Sequence, residues 1–203
     1  MELFPLFSTP VVRTRLNYTL DLDYLESLEY VEYGNSGQRS LNQNILLEEC
    51  FHDLKYQIEY ALNSFLFGNL NFAQGKIVHT GSWINLHTPG DYSPKHNHTN
   101  SFFSGVFYLH VPKDSGRIWF VKPNAIPTYA TASIYPEIKE FNINNSSEWG
   151  FDLEANDLLL FPSHLDHQVE INKSDSNRYS LAFNYFLQGT FGGDTGILNL
   201  QVN

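Results

Sequence analysis

The chain has one cysteine in 203 residues, Cys50, which removes any intramolecular disulfide framework and any Cys-x-x-Cys zinc site. Such usage fits a reducing, thiol-permissive compartment such as a cytoplasm. Charge is also scarce: 17% of residues are charged, against about 25% in an average soluble domain, which excludes a high-charge disordered tail. Cations are the scarcer sign, with 12 Lys+Arg against 22 Asp+Glu and a formal charge of −10. A general nucleic-acid binder needs basic surface to displace counterions, so nucleic acid is disfavoured as a partner. No apolar run approaches the roughly 18 residues of a membrane span, so no membrane partner is expected. The stretch from Met1 to Val12 has no basic leader region and carries Pro5 and Pro10, so no signal peptide is expected. There is no internal repeat, low-complexity tract or linker, and the length suits a single domain over 1–203.

What is present divides at about Gly75. In residues 1–75 the clearest pattern is helical: Leu47, Phe51, Leu54, Ile58, Ala61, Leu62 and Phe65 recur at three- and four-residue steps between Ile45 and Phe67. Asn44 is the expected N-cap and Gly68 the expected stop. A shorter helix is expected from about Asp21 to Tyr30. Over 76–203 the pattern changes to short runs of Ile, Val, Phe, Tyr and Trp broken by Gly, Pro, Asn and Asp. Strands are expected at 76–88, 101–111, 117–121, 132–135, 148–153, 157–161, 168–171 and 178–188, with turns such as Pro89-Gly90 and Asp114-Ser115-Gly116 between them. About eight short strands at this spacing predict a mostly β protein, a sandwich or jelly roll closed by helices.

Eight histidines in an acidic chain are the first sign of chemistry. His96 and His98 are spaced i, i+2, which in extended chain aims two imidazoles at one point. Imidazole suits Fe, Zn, Cu or Ni. A second cluster follows the apolar strand Leu158–Phe161: Pro162 ends it, and a short loop delivers His167 as the next strand begins, with His164 as the alternative third ligand. A jelly roll can open both strand mouths on one end and bring three imidazoles together. Ten residues separate His167 from Arg178-Tyr179-Ser180. On a strand, Arg178 and Ser180 share a face, and a guanidinium beside a hydroxyl makes a clamp for the far carboxylate of a dicarboxylic co-substrate.

His96-x-His98, a distal His167, and then Arg178-x-Ser180 resemble the iron- and 2-oxoglutarate-dependent oxygenases. The chain is most similar to their small members in bacteria and in phages of marine bacteria, related to prolyl hydroxylases. Further matching pieces are Leu3-Phe4-Pro5 to Thr9-Pro10-Val11, Trp83-Ile84-Asn85, Pro94 to His98, Ser104 to Leu109, Leu160 to Ser163, Asp166 to Val169, Arg178 to Phe186, and the tail from Gly189 to Gly193. The resemblance implies a cupin-like double-stranded β-helix with N-terminal α-helices packed on one sheet. It implies Fe(II) on His96, His98 and His167, and 2-oxoglutarate on the metal with its outer carboxylate on Arg178 and Ser180. Tyr108, Trp83 and Asn85 would line the same pocket. The implied reaction consumes O2, hydroxylates an unidentified small molecule or peptidyl side chain, and releases succinate and CO2. The implied location is a bacterial or host cytoplasm.

The wider superfamily has Asp or Glu where this chain has His98. Three neutral imidazoles leave Fe(II) with two positive charges, which dianionic 2-oxoglutarate neutralises. Asp91 or Asp166 would restore a carboxylate only if the fold brought it close. Two other readings stand beside the oxygenase: a three-histidine cupin-like metalloenzyme that uses no keto acid, and a non-catalytic jelly-roll binding module. The remaining histidines His52, His79, His87 and His110 are expected to be structural, Cys50 a buried inert thiol, and Trp119 and Trp149 core or rim aromatics. Stretches 30–44 and 125–143 are the candidate substrate-facing loops. A two-fold homodimer is the default assembly.

Overall fold

A computed structural model describes residues 1–2, 4, 8–33, 37–122, 136–193 and 196–202. Its strands are β1 (Val12–Arg15), β2 (Tyr30–Glu32), β3 (Gln38–Ser40), β4 (Lys76–His87), β5 (Ser93–His96), β6 (Phe103–His110), β7 (Ile118–Val121), β8 (Glu148–Phe151), β9 (Asp157–Pro162), β10 (His167–Val169), β11 (Arg178–Gly193) and β12 (Gly196–Leu200). The helices are α1 (Leu22–Ser27) and α2 (His52–Asn63). A large sheet runs β1-β9-β6-β11-β4-β3-β2, with β12 paired to β11, and a small sheet runs β5-β10-β7-β8. All the paired strands are antiparallel. Two antiparallel sheets packed face to face are the jelly-roll architecture that the strand spacing predicts.

The large sheet is covered on both faces. Along β11, Tyr179, Leu181, Phe183 and Tyr185 point to one side and join Phe51, Leu54, Ile58 and Leu62 in the larger apolar core. The alternate residues of β6 and β9, Val106, Tyr108, Leu159 and Phe161, point to the other side and meet Ile118 and Phe120 of the small sheet. The two-residue period of a strand makes this partition, so β9 reads as a continuous apolar run, and β6 is buried from Phe103 to Tyr108, because both of their faces are covered. Gly105, opposite Phe183 on the helix side, leaves room for that ring: a Cβ there would sit 2.4 Å from the Phe183 ring and 2.7 Å from the Leu159 carbonyl.

The expected helix at 45–67 is a succession rather than one helix. Two 3-10 turns, Ile45–Leu47 and Glu49–Phe51, lead into α2, and a π-turn, Ser64–Asn69, follows it. The tighter 3-10 winding rotates the first turns out of phase with the later stripe. Leu47 is therefore 54% exposed instead of joining the buried face. Cys50, expected to be buried, is exposed for the same reason, while Phe51 next to it turns inward. Asn44 does precede the first turn, but its side chain makes no capping bond. Gly68 lies inside the π-turn, and the left-handed residue that ends the segment is Asn71, with φ 56°.

Residues 1–75 also carry β1, β2 and β3, which extend the large sheet at both ends. The strand expected at 132–135 lies outside the described residues. No described helix is long and apolar enough to cross a membrane.

Candidate metal centre

The small sheet positions the histidines. His167 opens β10 and stands directly opposite His96, the last residue of the edge strand β5. Pro94 is compatible with this strand because β5 has only one neighbour in its sheet. Beyond His96 the chain leaves the strand, and the His98 backbone N–H donates to the Ser163 carbonyl at 2.9 Å. That bond aims the His98 ring back at the other two. Ring centroids lie 4.4 Å apart for His96–His167, 5.4 Å for His96–His98 and 5.1 Å for His98–His167. One nitrogen from each ring falls within 4.8 Å of the others.

Backbone carbonyls fix which nitrogens are available. His96 Nδ1 lies 2.8 Å from the Pro94 carbonyl, and His167 Nδ1 lies 3.0 Å from the Leu165 carbonyl. A carbonyl accepts only, so each Nδ1 carries the proton and each Nε2 keeps a free lone pair. Ligating histidines are commonly oriented this way. Burial, followed by the neighbouring His96, pushes His98 down to about 4 and His167 down to about 3. Both rings are neutral at physiological pH, the form that binds metal.

The site is braced by residues to which the sequence pattern assigned no bracing role. Asn97 Nδ2 donates to Asp166 Oδ1 at 2.8 Å, tying the loop after β5 to the loop before β10. Ser163, whose carbonyl holds His98, is fixed through its hydroxyl to Ser101 at 2.9 Å and to Ser104 at 2.8 Å. A Ser-x-x-x-His spacing after an apolar strand is the only sequence signal for this bracing, and it is weak. Neither candidate carboxylate joins the histidines. Asp166 is engaged by Asn97, and Asp91 accepts from the Thr88 backbone N–H and hydroxyl, both at 2.8 Å. His164 is also outside the cluster, on the exposed side of the loop.

The large sheet supplies the opposite wall. Trp83 lies 6.0 Å from His98, and Phe161 lies 4.9 Å from His167, ring to ring. Moving along β4 from Trp83, Asn85 stands opposite Ser180, and His87 opposite Arg178. All of these share the face that looks toward the small sheet, as does Tyr108, which pairs with Ser180 from the other side. The residues singled out by spacing are thus gathered in one inter-sheet space. Trp83 Nε1 donates to Asn85 Oδ1 at 2.9 Å. His87 serves the fold: buried, it bonds Ser93 Oγ at 3.1 Å and links the end of β4 to β5.

Arg178 is 2% exposed, and its Nε and Nη1 have no hydrogen-bond partner among the described residues. Its guanidinium lies 5.1 Å from the centre of the Tyr108 ring. Burial lowers the Arg178 pKa, whereas burial pushes the Tyr108 phenol up to about 12 despite the adjacent cation. An unpaired buried cation costs several kcal/mol. Tyr108 is the side-chain hydrogen-bonding neighbour of Arg178, and no carboxylate among the described residues neutralises the charge.

Comparison with known proteins agrees with this architecture. The chain matches the family described as "Putative 2OG-Fe(II) oxygenase" over residues 81–184, which contains all three histidines, Arg178 and Ser180. No curated protein sequence matches. Among solved structures, the non-heme α-ketoglutarate-dependent epimerase SnoN from nogalamycin biosynthesis superposes with a TM-score of 0.60 at 17% identity, covering 88% of this chain and 78% of that one. A Pseudomonas putida prolyl-4-hydroxylase gives 0.55 at 14% identity, covering 90% and 95%. HygX from Streptomyces hygroscopicus, solved with nickel, 2-oxoglutarate and hygromycin B, gives 0.55 at 14% identity, covering 88% and 83%. These structural likenesses establish the shared fold, and the family match extends over half the chain: this protein belongs to the 2OG-Fe(II) oxygenases, enzymes that use iron, 2-oxoglutarate and O2.

Proposed function

We propose that His96, His98 and His167 hold Fe(II), and that Arg178 and Ser180 hold the outer carboxylate of 2-oxoglutarate in an enzyme that hydroxylates a small molecule or a peptidyl side chain. The observation that carries this reading is the unpaired, buried Arg178 guanidinium on the face that looks toward the three histidines. A three-histidine metalloenzyme without a keto acid would have no use for it, and a binding module would have no reason to bear its cost. The donor set fits the metal: two Nε2 lone pairs are freed by Nδ1 bonds to carbonyls, and the third imidazole is neutral beside them.

Iron with a bound keto acid and O2 supplies the oxidising chemistry, releasing succinate and CO2 as substrate is hydroxylated. The chain does the rest. Arg178 and Ser180 fix the orientation of the dicarboxylate, Tyr108 packs against the guanidinium, and Phe161, Phe120 and Trp83 keep water from the reacting face. The exposed free thiol of Cys50 suits a reducing cytoplasm as the working compartment.

The test is an anaerobic titration with Fe(II) and then 2-oxoglutarate, following the metal-to-keto-acid charge-transfer band. Wild type should develop the band. His167→Ala should lose at least 100-fold in metal affinity and show none. Iron binding without a band would instead support the keto-acid-independent metalloenzyme.

A further inference from the structure

A second unpaired arginine faces the same space. The chain has five arginines, all described. Three are paired with carboxylates: Arg13 with Asp157 at 2.7 Å, Arg15 with Glu154 at 2.9 Å, and Arg117 with Asp152 at 3.4 Å and Glu170 at 3.5 Å. The other two, Arg178 and Arg39, have no carboxylate within reach among the described residues. They are also the two arginines with buried, unpartnered nitrogens, and in Arg39 that nitrogen is Nε. With 22 acidic residues against 12 basic ones, leaving two guanidiniums without a carboxylate needs a cause.

Register places them together. Arg39, on β3, stands directly opposite Asn85 on β4, and Arg178, on β11, stands opposite His87 on the other side of β4. Directly opposed residues of an antiparallel pair point to the same face. Arg39 therefore shares a face with Asn85, Trp83 and Arg178, the face that looks toward the histidines. Strands β3 and β11 flank β4, so the two arginines stand on backbones about 10 Å apart across the sheet.

The surroundings of Arg39 are built to present it. The Tyr33 ring covers one side of the guanidinium, with Cζ 3.9 Å from the ring centre, which holds the plane without consuming its N–H groups. Asn85 lies beside it. The Asn85 oxygen must be the atom facing Trp83 Nε1, because an indole N–H only donates, so Asn85 offers its amide N–H groups. A planar guanidinium edge and an amide donor, next to the ring that packs on His98, match a carboxylate better than any neutral group.

We propose that Arg39, with Asn85 beside it, anchors a carboxylate of the primary substrate, so that the enzyme acts on a carboxylic acid whose body lies along Trp83 toward the metal. This rests on the assignment of Arg178 to 2-oxoglutarate, and it makes Arg39 the residue that selects substrate by charge.

The test loads the anaerobic protein with Fe(II) and saturating 2-oxoglutarate, so that Arg178 is occupied. It then titrates in 3-phenylpropionate and, separately, 3-phenylpropionamide, reading tryptophan fluorescence and the perturbation of the charge-transfer band. Wild type should bind the acid at least 10-fold more tightly than the amide. Arg39→Gln should abolish that preference while keeping the band and the 2-oxoglutarate affinity, and Arg39→Lys should keep part of it. Equal binding of acid and amide by wild type, or an unchanged preference in Arg39→Gln, overturns the proposal. So does loss of 2-oxoglutarate affinity in Arg39→Gln but not in Arg178→Gln, because Arg39 would then serve the co-substrate. Absence of the band in wild type would defeat the underlying assignment instead, and an acid preference that depends on Arg39 would still be measurable without metal.

Discussion

The two faces of the large sheet are built on opposite terms. On the helix side, Leu181, Phe183 and Phe107 meet Phe51, Leu54 and Ile58, and polar groups are few: Tyr185 donates to Glu59 at 3.1 Å, and beside it His79 Nε2 is buried without a hydrogen bond among the described residues but carries no fixed charge. On the side that looks toward the small sheet, the large sheet carries two guanidiniums without carboxylates, and the small sheet with the loop after β5 aims three imidazoles at one point across from it. One face supplies the stability that lets the other hold groups which oppose folding. Alternation along β4 and β11 allows both, because each strand sends every second residue to a different purpose.

Substitutions that separate the faces should separate stability from binding. Phe107→Ala empties a fully buried position on the helix side and should cost about 3–5 kcal/mol. Urea denaturation measures this, and the folded variant should still form the charge-transfer band with wild-type affinity. Arg178→Met should do the reverse. It removes a buried cation that has no carboxylate, so the metal-free protein should gain about 1–3 kcal/mol, seen as a melting temperature several degrees higher. Its 2-oxoglutarate affinity should fall about 100-fold, or about 2.7 kcal/mol. A destabilised Arg178→Met would show that the cation contributes to the fold and would erase the contrast. The smallest effect is expected at Arg13. Its partner Asp157 is buried and also accepts from the Glu154 backbone N–H at 2.9 Å, but the Arg13 side chain is 42% exposed and water screens the pair. Arg13→Ala should cost about 1 kcal/mol by thermal melting and leave both ligand affinities untouched.

Much of the site is legible in the sequence because strand geometry is simple. The i, i+2 spacing of Arg178 and Ser180 carries directly into a shared face, His96 and His98 converge although His98 lies beyond the strand and is turned back by its bond to Ser163, and the apolar run Leu158–Phe161 is a strand because both of its sides are covered. The gathering of His167 with the other two histidines needed only the expectation that both strand mouths open on one end. The stretch 30–44 is an expected substrate-facing loop, but nothing in the sequence marks Arg39 within it. It lies on a three-residue strand, Gln-Arg-Ser, with no alternation to announce it, and its place depends on pairing with Asn85, 46 positions later. The same holds for Val-Arg-Thr-Arg in β1 and Tyr-Val-Glu in β2: short edge strands with charged residues have no period long enough to read. Cys50 and Leu47 faced outward because a 3-10 turn changes the angular step, which a count of three and four residues cannot detect.

The meeting of His96 and His167 across the edge of the small sheet has a consequence for how the molecule breathes. Strand β5 is four residues long and has a single neighbour, so its amide hydrogens belong to the fraction that exchanges by local opening rather than by global unfolding. An ion held between His96 and His98 on one side and His167 on the other closes a loop of about 70 residues at its weakest seam. Metal occupancy thereby becomes a latch on this margin of the sandwich: loss of the ion would set β5 free to fray while the helix-backed face stays shut.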